Sequence, residues 1–401
     1  MTCAGETAIP VPPPASVLFV LDYFYPHLGG GETLFWELSR AAAKAGSRVS
    51  VVTPRLRGMK AREVVDGVEI VRVWTPRFAP HVWFMLLAIP IAWRLAKRVS
   101  LIHAAVYFAA VPACLAATLR GKPLVITVHE VFGDQWQQLK AIGRLTGWAA
   151  RVFERIVVGL PAARYICVSD FTKRRLMRFA RIPETKISVV YNAVDYGFWK
   201  RDRHCARPLR KEHGWPDTTF VYLFFGRPGV SKGVDTLVAA AAEVRQRLPE
   251  SRLVLLLGRE PAAGRRSIES TVRRHALGNH VLVLDSVPRD ELPGYLLAAD
   301  CVVVPSVSEG FGYSAVEARA IGCRVLATAG HAVEEVLWGE VELCPSGDSK
   351  AMADRIVEIA RVPCNVPPHT PKYDLATHLQ NTLQVYQLVS SATSALGPIR
   401  R

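Results

Sequence analysis

Short apolar runs alternate with helix-like stretches along this 401-residue chain, and the alternation is played out twice. SVLFVLDYF (16–24) reads as a strand, a glycine cluster follows, and ETLFWELSRAAAKAG (32–46) has the spacing of an amphipathic helix closed by Gly46. RVSVVTP (48–54), VEIVRVW (68–74), SLIHAAV (100–106), PLVITVHE (123–130) and RYICVSD (164–170) continue the strand series, with a basic, apolar helix at 82–98. Strands alternating with helices imply a parallel sheet covered on both faces. The segment ISVVYNAVDYGFWKRDRHCARPLRKEHG (187–214) breaks this rhythm and reads as a hinge or linker. The pattern restarts with TFVYLFFGR (219–227), a helix at 233–248 and RLVLLLG (252–258). HVLVLDSV (280–287), a helix at 290–299, CVVVPS (301–306) and RVLATAG (324–330) follow, with a last helix at 374–392. The expectation is two α/β domains with a cleft at the carboxyl ends of their strands, where such sheets bind ligands. The expected boundaries are a disordered Pro-rich lead at 1–15, a front domain at 16–198, a back domain at 199–372, and a C-terminal helix and tail at 373–401 packing back on the front domain.

Four loops carry residues that a plain connection does not need. SEGFGYSAVE (308–317) turns on Gly310 and Gly312 and places Glu309 before a helix start and Glu317 about one turn inside it. Two carboxylates so spaced suit paired sugar hydroxyls, and a helix start favours an anion or an oxygen-rich ligand; alternatively, both serve the helix dipole. In FFGRPGVSKGVDTL (224–237), Arg227 and Lys232 converge beside a helix start, as a fork and a point charge suited to a diphosphate. This loop has neither the GxxxxGK[ST] nor the GxGxxG pattern. PHLGGGETLF (26–35) carries Gly29, Gly30 and Gly31, whose amides can cradle phosphate or form a tight turn. His129 ends the strand ITVHE (126–130), either as a structural histidine or facing the cleft.

In this order the loops resemble the retaining glycosyltransferases of the GT-B fold, particularly glycosyltransferase family 4 (glycosyl transferases group 1). The resemblance rests on Gly29–Glu32, Thr127–His129, VSDFTKRRL (168–176), VVYNAVDYGFW (189–199), GRPGVSKG (226–233) and the E-x7-E of Glu309 and Glu317. It implies an α/β chain of two Rossmann-like, doubly wound parallel-sheet domains facing a central cleft. It implies transfer of a hexosyl group from a UDP- or GDP-sugar to an acceptor hydroxyl, with retention of configuration. Glu317 would accept from donor ribose hydroxyls, and Glu309 would contact the transferred sugar near the reacting centre. Arg227 and Lys232 would neutralise the diphosphate in place of a metal ion. His129 would reach the sugar, the amides of Gly29–Gly31 would bind phosphate or shape the acceptor side, and Gly310, Phe311 and Gly312 would present amides to the donor. No cofactor is expected, since the nucleotide-sugar is a substrate. A nucleotide-sugar epimerase on the same architecture is the alternative, with His129 and Glu130 as acid and base.

The charge of +15 is uneven: residues 1–198 hold 25 Lys/Arg against 13 Asp/Glu (+12), and the remainder 25 against 22 (+3). The front half therefore faces an anionic partner. RFAPHVWFMLLAIPIAWRLAKR (77–98) mixes aromatics with flanking cations, as interfacial helices do, although a partly buried domain helix reads the same way. A lipid-linked or glycan acceptor and peripheral association with an anionic membrane are expected on that basis. No zinc-finger or RNA-binding signature accompanies the basicity, so nucleic acid is not an expected partner. The eight scattered cysteines without a CxxC pair, the absence of a signal-peptide pattern, and a most apolar segment (82–93) of only twelve uncharged residues before Arg94 suggest a cytoplasmic protein, or one at the inner face of the membrane.

Overall fold

The computed structural model describes residues 12–26, 29–137, 143–339, 341–362 and 371–395. These fall into two compact units, the first running through Ala193 and resuming at Tyr373, the second Val194–Lys372. Most of the lead expected at 1–15 (residues 1–11) and the tail beyond 395 lie outside the described residues. Pro14 and Ala15 accept hydrogen bonds from Ser47 and Arg48.

Unit 1 is built on an 8-stranded sheet with order β3-β4-β2-β1-β5-β6-β7-β8. Its strands are β1 (Ser16–Val20), β2 (Arg48–Pro54), β3 (Arg62–Val65), β4 (Val68–Val73), β5 (Leu101–Ala105), β6 (Leu124–Val128), β7 (Arg164–Cys167) and β8 (Ile187–Val189). Its helices include α1 (Gly30–Lys44), α2 (Pro80–Ala96), α3 (Ala110–Arg120), α4 (Arg144–Val158) and α5 (Asp170–Ala180).

Two features correct the sequence reading. The sheet is parallel except for its edge, where β3 pairs antiparallel with β4. The two-residue Asp66-Gly67 turn, with both φ positive, makes that hairpin, and Asp-Gly is a strong signal for such turns. The segment from 187 begins as β8, a short strand parallel to β7, so the chain leaves unit 1 only after Ala193. Three residues of strand are too few to show a period.

Unit 2 is a 6-stranded parallel sheet, order β11-β10-β9-β12-β13-β14. The strands are β9 (Val221–Gly226), β10 (Arg252–Leu257), β11 (Val281–Asp285), β12 (Cys301–Val304), β13 (Val325–Thr328) and β14 (Glu342–Cys344). The helices of this unit are α6 (Leu209–Glu212) before β9, then α7 (Val234–Arg247), α8 (Ala262–Arg274), α9 (Leu292–Ala298), α10 (Tyr313–Ala320) and α11 (Val333–Val336) between the strands, and α12 (Ser349–Arg361) after β14. Strand succession runs outward from β9 to β11, then jumps back to β12 beside β9. This reversal leaves a crevice at the carboxyl ends of β9 and β12, where doubly wound sheets take ligands.

The last helix, α13 (Leu375–Ala395), returns to unit 1. Its Leu383, Val385, Tyr386 and Val389 are buried in one core cluster with Val17, Phe19 and Phe35. The Tyr386 hydroxyl lies 2.6 Å from Nδ1 of buried His103, whose Nε2 lies 2.7 Å from Thr127 Oγ1. The opposite face of the sheet packs α2, α3, α4 and α5 in a second cluster.

Candidate active site

The reversal between β9 and β12 brings together two loops far apart in sequence. After β9 the chain passes Arg227 and a short turn containing Lys232, and α7 begins at Val234. Gly233, with φ +63°, makes that passage possible, because a Cβ there would lie 1.9 Å from the Pro305 carbonyl oxygen. The β9 loop is thus pressed against the end of β12, and Val307 N–H donates to Ser231 O at 2.7 Å. After β12 come Ser306, Glu309 and the N-cap Gly312 (φ +83°), then α10. Neither α7 nor α10 has a side-chain cap on its first N–H groups, leaving both helix starts at the crevice suited to an anion.

Glu309 is 7 % exposed, and Lys232 Nζ donates to its Oε1 at 2.6 Å. Ser306 Oγ donates to the same oxygen at 2.7 Å. Burial pushes the Glu309 carboxyl up, but the Lys232 charge and these hydrogen bonds outweigh it and hold the group below its ordinary value. Behind it, buried His331 accepts from Val333 N–H on Nδ1, 3.4 Å away. Its Nε2 therefore donates to Thr328 Oγ1 at 3.0 Å, and the Ala332 N–H donates to the Glu309 carbonyl at 3.2 Å. Sequence reading singled out neither Ser306 nor His331; both act through nonlocal contacts for which the local pattern holds no signal.

Glu317 faces a different environment. It is half-buried on α10, and its carboxylate has no hydrogen-bond partner among the described residues. Burial pushes its pKa up to about 7, with the Arg289 charge pulling the other way. The guanidinium of Arg227, exposed just past β9, likewise has no ion-pair or hydrogen-bond partner among the described residues. Phe311 is buried and packs edge-on against Tyr313 at 5.1 Å. Gly312 allows close approach by α11, since a Cβ would come 2.6 Å from Val333 Cγ2. Lys232, Glu309, Gly310, Phe311, Gly312, Glu317 and Arg227 therefore all follow β9 or β12, the two strands flanking the reversal.

The remaining candidates belong to unit 1. Gly29 is the extended N-cap of α1, with Gly30 and Gly31 in its first turn. Gly31 lets the His129 ring pack on that turn: a Cβ there would lie 3.3 Å from His129 Cε1. The Glu32 carboxylate folds over Gly29, 2.2 Å from where a Cβ would stand. His129 is held down to about 4 by burial, with Glu32 opposing and His378 reinforcing the shift, so the imidazole is neutral near pH 7. Asp22, just beyond β1, is pushed up to about 8 by burial, and its Oδ1 has no hydrogen-bond partner among the described residues.

Residues 28–198 match Glycosyltransferase Family 4, and residues 206–363 match Glycosyl transferases group 1. A phosphatidylinositol N-acetylglucosaminyltransferase chain of Arabidopsis thaliana is 26% identical over 353 residues, covering 86% of this chain and 74% of the relative. D-inositol 3-phosphate glycosyltransferase of Salinispora arenicola is 33% identical over 251 residues, 59% of this chain and 55% of the relative. The chain thus spans about half the length of the bacterial relative. Among solved structures, sucrose-phosphate synthase from Thermosynechococcus elongatus superposes with a TM-score of 0.70 at 21% identity, over 95% of this chain and 97% of that one. HepE of Anabaena, in complex with UDP-glucose, superposes with a TM-score of 0.66 at 18% identity, over 95% and 98%.

Two α/β units of this topology, with these neighbours, define the GT-B fold. The family matches make the chain a glycosyltransferase, its first unit carrying the family 4 domain and its second the group 1 domain.

Proposed function

We propose that this enzyme moves a hexosyl group from a nucleotide-diphosphate sugar, UDP- or GDP-linked, to an acceptor hydroxyl with retention of anomeric configuration. The carrying observation is the Lys232–Glu309 pair at 2.6 Å at the β9/β12 reversal, on the same two connections as the Glu317 carboxylate and the Arg227 guanidinium, which have no partner among the described residues. In this reading Arg227, Lys232 and the uncapped helix starts meet the diphosphate, and the buried Glu309 orients sugar hydroxyls. Glu317 accepts from the ribose. The anomeric C–O bond to phosphate breaks, a C–O bond to the acceptor forms, and the acceptor proton leaves with the departing diphosphate. Preorganised cations stabilise the negative charge that develops on the leaving group, and the reading draws that stabilisation from Arg227 and Lys232.

The curated relatives are named for inositol-bearing acceptors, which supports a phosphate-bearing polyol or a membrane lipid as the acceptor class. Association with an anionic membrane surface belongs to this reading for a lipid acceptor. The epimerase alternative asks His129 to act as an acid, a role poorly suited to an imidazole held near 4.

The experiment is a thermal-shift panel of nucleoside diphosphates and their sugars, followed by product analysis with the best donor. A raised melting temperature with one nucleobase, then release of its diphosphate alongside a new glycoside, is the expected result. An intact, isomerised donor would establish the epimerase instead.

A further inference from the structure

Helices α2 and α3 are amphipathic in an inverted sense. In α2 the buried stripe is Phe84, Ala88, Ala92 and Ala96, while Val82, Trp83, Leu86, Leu87 and Trp93 face outward. In α3 the buried positions are alanines, Pro112 and Cys114, while Leu115 and Leu119 are exposed. Small residues let both helices sit close on the sheet, and the large apolar side chains are spent on the outside. The two helices are joined at that surface, with the Arg120 guanidinium 3.9 Å over the Trp93 ring and its Nε donating to Trp93 O at 3.1 Å. Helix α4, on the same face of the sheet, exposes Leu145, Trp148 and Ile156.

Singly exposed apolar residues are ordinary; a concentration of them is not. Of seventeen exposed large hydrophobic residues among those described, ten lie on α2, α3 and α4, and two lie in unit 2. Charge identifies the partner. From residue 70 through residue 129 the sequence has no Asp or Glu but seven Lys or Arg. Arg77, Arg94, Lys97 and Arg98 are exposed at the two ends of α2. Tryptophan with leucine and flanking cations is the composition of a surface that enters the headgroup region of a bilayer. No helix among the described residues is long and apolar enough to cross one.

We propose that the outer faces of α2, α3 and α4 form one surface that docks unit 1 on an anionic membrane, with the apolar side chains in the interface and the cations on lipid headgroups. Docking would leave the first turn of α2 at the edge of the buried surface. There His81 Nε2 lies 3.0 Å from the Tyr23 hydroxyl, just past β1. A lipid-borne acceptor would then arrive at the carboxyl end of this sheet. That last step rests on the glycosyltransfer reading, whereas docking itself does not.

The test is co-sedimentation of the full chain with phosphatidylcholine vesicles, with and without phosphatidylglycerol, at about 50 mM and about 500 mM salt. Binding to the anionic vesicles at low salt, released at high salt, is expected. Leu86→Glu with Leu119→Glu should lower partitioning at least about tenfold, through lost apolar burial. Arg94→Gln with Lys97→Gln should lower it roughly 20- to 30-fold, at about fivefold per cation. All four positions are exposed positions of unit 1, so unchanged unfolding curves and unchanged transfer to a soluble acceptor verify that each variant is intact. Absence of anionic-vesicle binding at low salt would overturn the proposal, as would equal binding to neutral vesicles or binding that neither variant alters. A stable dimer that Leu86→Glu dissociates, without vesicle binding, would assign the face to a second copy of the chain and overturn it equally. Vesicle binding without sugar transfer would leave docking standing and count against the transferase reading alone.

Discussion

Titration of Glu317 offers a sharp test of the donor site, because two effects of opposite sign share one group. Its carboxyl is shifted from 4.5 to about 7 by burial, without a hydrogen-bond partner among the described residues. A folded-state pKa raised above the unfolded value gives stability that is full below the unfolded value and lost as pH rises through about 7. The shift corresponds to about 3 kcal/mol lost over that window. Donor binding should run the other way. If ribose hydroxyls donate to Glu317, they require the ionised form, whose population rises from roughly 3 % at pH 5.5 to roughly 90 % at pH 8 for a group with this pKa. The affinity for a nucleotide-sugar should therefore increase roughly 30-fold between those pH values. Isothermal titration across the range measures it, using a nucleotide-sugar rather than a free diphosphate so that no terminal phosphate titrates alongside. Glu317→Gln should flatten the profile and remove this group's share of the stability loss near neutrality, leaving that of Asp22. A wild-type affinity constant from pH 5.5 to 8, or the same slope in Glu317→Gln, would refute the assignment.

Lys232→Ala should slow transfer by roughly 10²-fold or more in kcat, since it removes a cation aimed at leaving-group charge. It should also cost up to about 3 kcal/mol of stability, by leaving Glu309 buried without its cation, as chemical denaturation would show. Normal turnover in that variant would reject the phosphate role. Gly233→Ala should destabilise unit 2 by more than about 2 kcal/mol, because the residue needs a positive φ and its new methyl would meet the Pro305 carbonyl; an unfolding midpoint within error of wild type would count against the packing described. Tyr386→Phe should cost about 1–2 kcal/mol by leaving His103 Nδ1 without its partner inside the core, read from the same denaturation curves.

Much of this architecture was legible one segment at a time. Apolar runs at 16–20, 48–54, 221–226 and 301–304 became strands because β-branched and aromatic residues cluster there. Gly233 and Gly312 stand where only glycine adopts the required φ comfortably. The E-x7-E spacing located both carboxylates relative to the start of α10. The Asp66-Gly67 hairpin was also written in the sequence, but was obscured by an otherwise parallel pattern. The outward face of α2 was hidden for a physical reason: when nearly every residue of a helix is apolar, periodicity carries no contrast, and only packing shows which stripe is inside.

The sequence alone determined the class of fold, the loops that matter and the residue types available for binding a sugar nucleotide. Tertiary structure decided which of them meet. Lys232 and Glu309, 77 positions apart, pair because β12 returns beside β9. Ser306 joins them at the end of the same strand. Strand adjacency is set by burial on both faces of a twisted sheet and by how crossovers pack, a property of the whole unit that no local window encodes.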